Sequence, residues 1–320
     1  MEPRPVPLRL RTVEFYTDRH GVIRRAAALK QGYTDAQLHA HVKSGRLLDL
    51  GEGAYLLPGA LPVGSERGDA HYRMRCIAFG SAGRGAAPVL GHQSAAALHG
   101  LKLLKPDLDR VHVFSGRRGG GHMRNRRHVH PGKIDDAEAV AVDGVLVTSV
   151  ARTAVDIACC GDFAQALTAL DGALRLGATV DQLKAELEAR RRTGSAMATR
   201  ALTFADGDSE SVGESWSRAQ LILAGLPVPS LQVWYPGRKR RHRVDFDWGG
   251  RLIGEFDGLR KYQRDLRPDE TVTQAVMREK AREDELRALG LMVIRWIWAD
   301  LEAGRVVPLV REWIARLHLA

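Results

Sequence analysis

The sequence predicts a multidomain chain of mixed α+β and α/β character, and three observations carry that prediction. At 320 residues the chain exceeds what one hydrophobic core usually organises, so two or three domains are expected. Helical spacing, short alternating segments and glycine-containing turns succeed one another throughout, with neither class confined to one end. Hydrophobic residues make up 44% and charged residues 27%, an ordinary globular balance that argues against wholesale disorder.

The N-terminal part, residues 1–62, reads as a small helical unit closed by a hairpin. Thr34 and Gln37 fit the Ser/Thr-x-x-Glu/Gln capping box and place a helix start at Thr34. Leu38 and Val42 supply its buried stripe, and Gly45 ends it. Arg46–Leu50, the turn Gly51-Glu52-Gly53 and Ala54–Leu57 then read as strand, turn and strand. Helices followed by a hairpin are the winged form of the helix-turn-helix, whose second helix would present Gln37, His41 and Lys43 to DNA.

Residues 63–205 form a middle α/β domain with fewer signals. His92–Gly100 is a short helix, Val111–Phe114 and Val145–Thr148 are short strands, and Thr153–Ala158 and 163–192 are helical. His92 and His99 share a helix face, and with no third ligand nearby they read as packing or capping residues. Asp206–Glu210, polar and glycine-containing, is the natural boundary with a C-terminal α/β domain at 206–320.

The net charge is +10 and the pI about 9.8, which favours a polyanionic partner. The charge is clustered. Arg110–Lys133 holds seven Arg/Lys, four His and no acid, and Arg238–Arg243 is basic throughout if His242 is counted. Arg117, Arg118, Arg124, Arg126, Arg127, Arg238, Lys239, Arg240 and Arg241 are therefore candidate phosphate contacts. No run of about 18 apolar residues occurs, and residues 1–15 carry no apolar h-region, so a cytoplasmic chain without membrane contact is expected. The three cysteines, two of them adjacent, have no metal-ligand spacing and form no disulfide framework.

The strongest chemical signal lies between Glu214 and Leu301. A helix from Glu214, a strand at Gln232–Tyr235, and the hairpin Arg243–Trp248 and Leu252–Asp257 follow one another. A three-residue loop Gly249-Gly250-Arg251 sets Trp248 opposite Leu252 and Phe246 opposite Gly254 on an apolar face. The same register sets Asp245 opposite Glu255, with Asp257 beside them, on the other face. Clustered carboxylates of this kind are hard oxygen ligands suited to Mg²⁺ or Mn²⁺.

Glu214, Asp245 and Glu255-Phe-Asp257-Gly-Leu-Arg-Lys261-Tyr262 resemble the PD-(D/E)xK nuclease superfamily, most of all its branch similar to very-short-patch-repair endonucleases. Glu279–Gly290 followed by Val293–Trp296 resembles the same branch. The resemblance implies a restriction-endonuclease-like α/β fold in which Glu214, Asp245 and Glu255 bind the metal. It departs from the pattern where lysine is expected: Asp257 stands there, and Lys261 is the nearest substitute. Gly21–Gly59 resembles the winged-helix region of AbiEi-type abortive-infection antitoxins, and His92–Gly100 the stretch following it. Two functions stay open on these residues. One is a Mg²⁺- or Mn²⁺-dependent endonuclease for double-stranded DNA, with Glu214, Asp245, Glu255, Asp257 and Lys261 at its catalytic site. The other is a transcriptional regulator or antitoxin with a degenerate nuclease fold and a partner toxin. Either is compatible with a homodimer, and an RNA target remains a third possibility without a signature of its own.

Overall fold

The structure is a computed structural model and describes residues 15–82, 88–116, 119–135, 138–238, 240–258 and 271–319. Its described residues form two compact units of mixed α and β structure. The first comprises the residues up to Leu90 with Leu108–Ile134 and Ala141–Val147; the second comprises Gly91–Asp107, Asp135–Val140 and the residues from Thr148 onward.

The first unit opens with β1 (Ile23–Arg24), α1 (Arg25–Lys30) and α2 (Asp35–Lys43), then β2 (Leu48–Gly51) and β3 (Ala54–Leu56). Thr34 caps α2 as expected, its hydroxyl accepting from the Gln37 amide while the Gln37 side chain closes the box. The strands form an antiparallel sheet in the order β1-β3-β2. Ile23, Ala28, Leu38 and Leu47 make a core between the helices and this sheet. The β2–β3 turn is tight, since Gly51, Glu52 and Gly53 all have positive φ, and only glycine adopts that conformation without steric cost. Downstream lie α3 (Arg67–Gly80) and a three-stranded sheet of β4 (Val111–Phe114), β5 (His122–Arg124) and β6 (Arg127–His130) in the order β4-β6-β5. β7 (Ala139–Val142) and β8 (Val145–Thr148) pair as a two-stranded sheet.

The second unit contains α4 (His92–His99), α5 (Val150–Cys160), α6 (Phe163–Arg175), α7 (Val180–Glu188), α8 (Ser195–Leu202) and α9 (Val212–Leu223). The helical run expected over 163–192 is two helices, because Gly177 takes a left-handed φ of 92° and Thr179 caps a new start. His99 is a tying residue, its Nε2 2.7 Å from the Thr148 carbonyl. Leu167, Leu170 and Ala173 of α6 pack with Ala219 and Ile222 of α9 in one core. Asp206–Glu210 is no solvated linker. The Asp206 N–H donates to Asp171, Ser209 is fully buried, and its hydroxyl lies 2.8 Å from that of Ser215. The buried ion pair Asp171–Arg218, at 2.7 Å, joins α6 to α9 across this stretch.

After α9 come β9 (Ser230–Tyr235), β10 (His242–Trp248), β11 (Leu252–Asp257), α10 (Val272–Ala288), β12 (Met292–Ile297), α11 (Trp298–Glu302) and α12 (Val306–Arg316). The sheet order is β12-β11-β10-β9, with β11 and β12 parallel and the other pairs antiparallel. The hairpin takes the expected register, Trp248 opposite Leu252 and Phe246 opposite Gly254. Phe246, Trp248, Phe256 and Trp296 pack with Leu221 of α9 and Val310 of α12, whereas Val244, Ile253 and Val293 pack with Leu286 of α10. The sheet is therefore covered on both faces.

Candidate nucleic-acid interface and carboxylate site

In the first unit, α2 exposes Ala36, His39, Ala40 and Lys43, which at i, i+3, i+4 and i+7 make one stripe along the helix. Only Lys43 of this stripe was expected. Gln37 is exposed, but its carbonyl oxygen accepts from the Thr34 N–H at 2.8 Å, so capping occupies it. His41 departs from expectation. It is partly buried, edge-on to Phe15 at 5.7 Å and to Tyr33 at 6.2 Å between ring centroids, because the helix turns it toward the apolar side. His39, one turn before Lys43 on the outer face, is the histidine that sequence reasoning missed. Spacing alone could have found it.

The basic segment of this unit is partly committed to structure. Arg126 donates to the Asp49 carbonyl at 3.1 Å, and Arg127 pairs with Glu52 at 2.7 Å, so both grip the β2–β3 hairpin. Arg124 is exposed on β5. Arg117 and Arg118 lie outside the described residues.

The carboxylate site belongs to the second unit. Gly213 lets α9 approach β11 closely, since a Cβ there would stand 2.0 Å from the Phe256 ring. The next residue, Glu214, is thereby held almost completely buried, accepting from the Glu210 N–H at 2.9 Å and from Gln232 Nε2 at 3.1 Å. Burial first, then the nearby charge of Asp245, pushes its pKa up to about 7.

Asp245 does not share a face with Glu255, as the sequence register expected. Val244 and Phe246 would face the same way in a regular strand, yet they pack on opposite sides of the sheet. Alternation breaks at Asp245 and at Gln232, which has a φ of 52°, where the β9–β10 ladder skips a pair. Asp245 consequently turns toward α9 and Glu214. Its Oδ2 accepts the Phe256 N–H at 2.9 Å, filling a ladder position that the β10 backbone vacates.

Glu255 and Asp257 face α10 instead, and arginines hold both. Arg282 donates to Glu255 Oε1 at 2.7 Å, and also to Glu279 and to the Arg243 carbonyl. Arg295, the strand partner of Glu255, reaches Asp257 at 3.3 Å, Glu279 at 2.7 Å and Glu283 at 3.2 Å. Burial disfavours charge on both arginines, but the surrounding carboxylates outweigh it and hold both pKa values above the ordinary arginine range. Arg243 pairs with Glu210, at 2.7 Å. Lys261 lies outside the described residues. Neither Arg282 nor Arg295 was among the sequence candidates.

The donor set in this arrangement does not fit a three-carboxylate Mg²⁺ or Mn²⁺ site. Glu214 and Asp245 are adjacent hard-oxygen donors, but Glu255 is on the other face with an oxygen committed to Arg282. Among the described residues, the three-residue ligand group that converges is a histidine trio in the first unit, not the acids.

Of the second basic cluster, Arg238, Arg240 and Arg241 are exposed, and Lys239 lies outside the described residues. The Arg241 and Arg243 guanidinium carbons stand 5.4 and 5.8 Å from the ring of Trp234, itself half exposed. Exposed cations beside an exposed indole offer phosphate contacts and a stacking surface together.

Residues 86–204 match the family described as the AbiEi antitoxin C-terminal domain, a range that contains the His92–Gly100 segment. Two curated proteins of Mycobacterium tuberculosis, "Uncharacterized protein MT2308" of strain CDC 1551 and "Uncharacterized protein Rv2248" of strain H37Rv, are each 34% identical over 185 residues. The alignment covers 56% of this chain and 65% of each of those proteins, so the chain spans less than two thirds of the length of the curated relatives it matches. The crystal structure of RV2827C protein from Mycobacterium tuberculosis is similar at 18% identity with a TM-score of 0.36, over 68% of this chain and 80% of that one. No helix among the described residues is long and apolar enough to cross a membrane.

Proposed function

We propose that this chain is a DNA-binding regulator of a toxin–antitoxin or phage-defence system, an antitoxin of the AbiEi kind acting on double-stranded DNA in the cytoplasm. The observation that carries the reading is the match of residues 86–204 to the AbiEi antitoxin C-terminal domain. Three features support it. The described order β1-α1-α2-β2-β3 fits the reading of the N-terminal region, residues 1–62, as a winged helix, with α2 for the major groove and the β2–β3 hairpin as the wing. The α2 stripe pairs His39 and Lys43 with Ala36 and Ala40, whose small side chains allow a close approach to DNA. The net charge of +10 supplies phosphate affinity. A homodimer reading a palindromic operator and a partner toxin belong to the same proposal. The test is footprinting on the DNA upstream of the chain's own gene. A protected site of defined sequence supports the reading, and uniform coverage of all DNA rejects it.

A second reading is favoured by one observation. The order α9-β9-β10-β11-α10-β12, with Glu214 at the start of α9 and acids on β10 and β11, is compatible with the resemblance of residues 206–320 to the PD-(D/E)xK superfamily. On this reading the domain is a Mg²⁺- or Mn²⁺-dependent endonuclease whose adjacent acids Glu214 and Asp245 face the metal. Supercoiled plasmid incubated with the protein and Mn²⁺ tests it: cleavage abolished by Asp245→Asn supports the enzyme, and intact plasmid removes it.

A further inference from the structure

We propose that His112, His128 and His130 form a binding site for a divalent transition-metal cation of the zinc class. The three lie on one face of the first unit's β4-β6-β5 sheet. β4 and β6 are parallel, with His112 opposite His128 and Phe114 opposite His130, and side-chain alternation puts His130 on the same face as His128. Ring centroids are 5.1 Å apart for His112 and His128, 5.1 Å for His112 and His130, and 3.9 Å for His128 and His130. One nitrogen from each ring falls within 4.8 Å of the others. The nitrogens of three imidazoles around a tetrahedral zinc, with bonds of about 2.0 Å, stand about 3.3 Å apart, so binding requires the rings to close from the spacing seen here.

The ring contacts suit a shared cation. His112 Nδ1 and His130 Nε2 are 2.9 Å apart, so the two rings already share one hydrogen bond that a cation would replace. Burial, then His128 and His112, pushes His130 down to about 3, and burial with Arg110 lowers His128. Neutral imidazole is the ligating form, and burial favours it at His128 and His130. The Arg110 charge opposes a cation at this site too. Imidazole nitrogens select zinc-class ions over Mg²⁺. Three protein ligands leave the fourth position to water or an anion.

The experiment is a Co²⁺ titration of the untagged, EDTA-treated full-length chain, followed by Zn²⁺ competition. The expected result is one equivalent of Co²⁺ with the ligand-field absorption of a four-coordinate site, displaced by Zn²⁺. His112→Ala and His130→Ala should each weaken binding about 100-fold, while His318→Ala, on the exposed C-terminal segment, leaves it unchanged. Should either variant fail to fold, X-ray absorption of the zinc-loaded wild type decides, with three imidazole nitrogens expected. Absence of a four-coordinate cobalt spectrum, equal binding by folded histidine variants, or fewer than three imidazoles overturns the site.

Discussion

Replacing Glu214 by glutamine isolates the cost of burying that carboxylate. The ordinary glutamate value is 4.5 and burial beside Asp245 raises it to about 7. The folded chain therefore holds the Glu214 proton over a pH range in which the unfolded chain has lost it. Stability on this account is intact below about 4.5 and falls as pH rises through about 7. At about 1.4 kcal/mol per pKa unit, the loss is at most about 3 kcal/mol. A glutamine at this position would still accept from the Glu210 N–H and Gln232 but carries no charge at any pH. Glu214→Gln should thus match the wild type at about pH 4 and exceed it by about 2–3 kcal/mol at pH 8.5. Urea unfolding followed by tryptophan fluorescence is the assay, because all six tryptophans lie between Trp216 and Trp313 and report on this region alone. Equal stabilities at pH 8.5, or a less stable variant there, would refute the argument, since the anion would then be well accommodated.

Glu255→Gln should act in the opposite direction, costing about 3 kcal/mol by leaving the poorly exposed Arg282 without its main counter-charge, and Glu255→Gln/Arg282→Met should recover much of that in the same unfolding assay. Gly213→Ala, whose Cβ would meet the Phe256 ring, should lower stability by about 1–3 kcal/mol, and a double-mutant cycle with Phe256→Leu should show strong coupling. Joint replacement of Arg124, Arg240 and Arg241 should flatten the plot of log K against log salt for duplex DNA by about 0.9 for each phosphate no longer neutralised, read by fluorescence anisotropy.

Elements set by local chemistry were legible in the sequence. The Thr34–Gln37 box fixes the start of α2, and the Gly249-Gly250-Arg251 turn fixes Trp248 opposite Leu252. Both depend on residues within a few positions of one another. The departures come from contacts distant in sequence. Asp245 leaves its expected face because the chain is kinked at Gln232 in the neighbouring strand, which strand alternation does not encode. His41 turns inward because Phe15 and Tyr33 provide an aromatic surface for it. Glu255 and Asp257 looked like metal ligands because Arg282 and Arg295, 27 and 38 residues downstream, gave no local sign of facing them. The histidine trio was half visible: His128 and His130 share a face by spacing, but His112 joins them only through the parallel pairing of β4 and β6.

The central claim is that α2 reads a specific DNA sequence. Fluorescence anisotropy at about 0.15 M salt, where nonspecific phosphate affinity is weak, can compare a duplex from upstream of the chain's own gene with a scrambled duplex of equal length. The account predicts at least about a thousandfold preference for the native duplex, largely lost in His39→Ala/Lys43→Ala while scrambled binding changes little. Equal affinity for the two duplexes, or a preference that survives the double substitution, would contradict it.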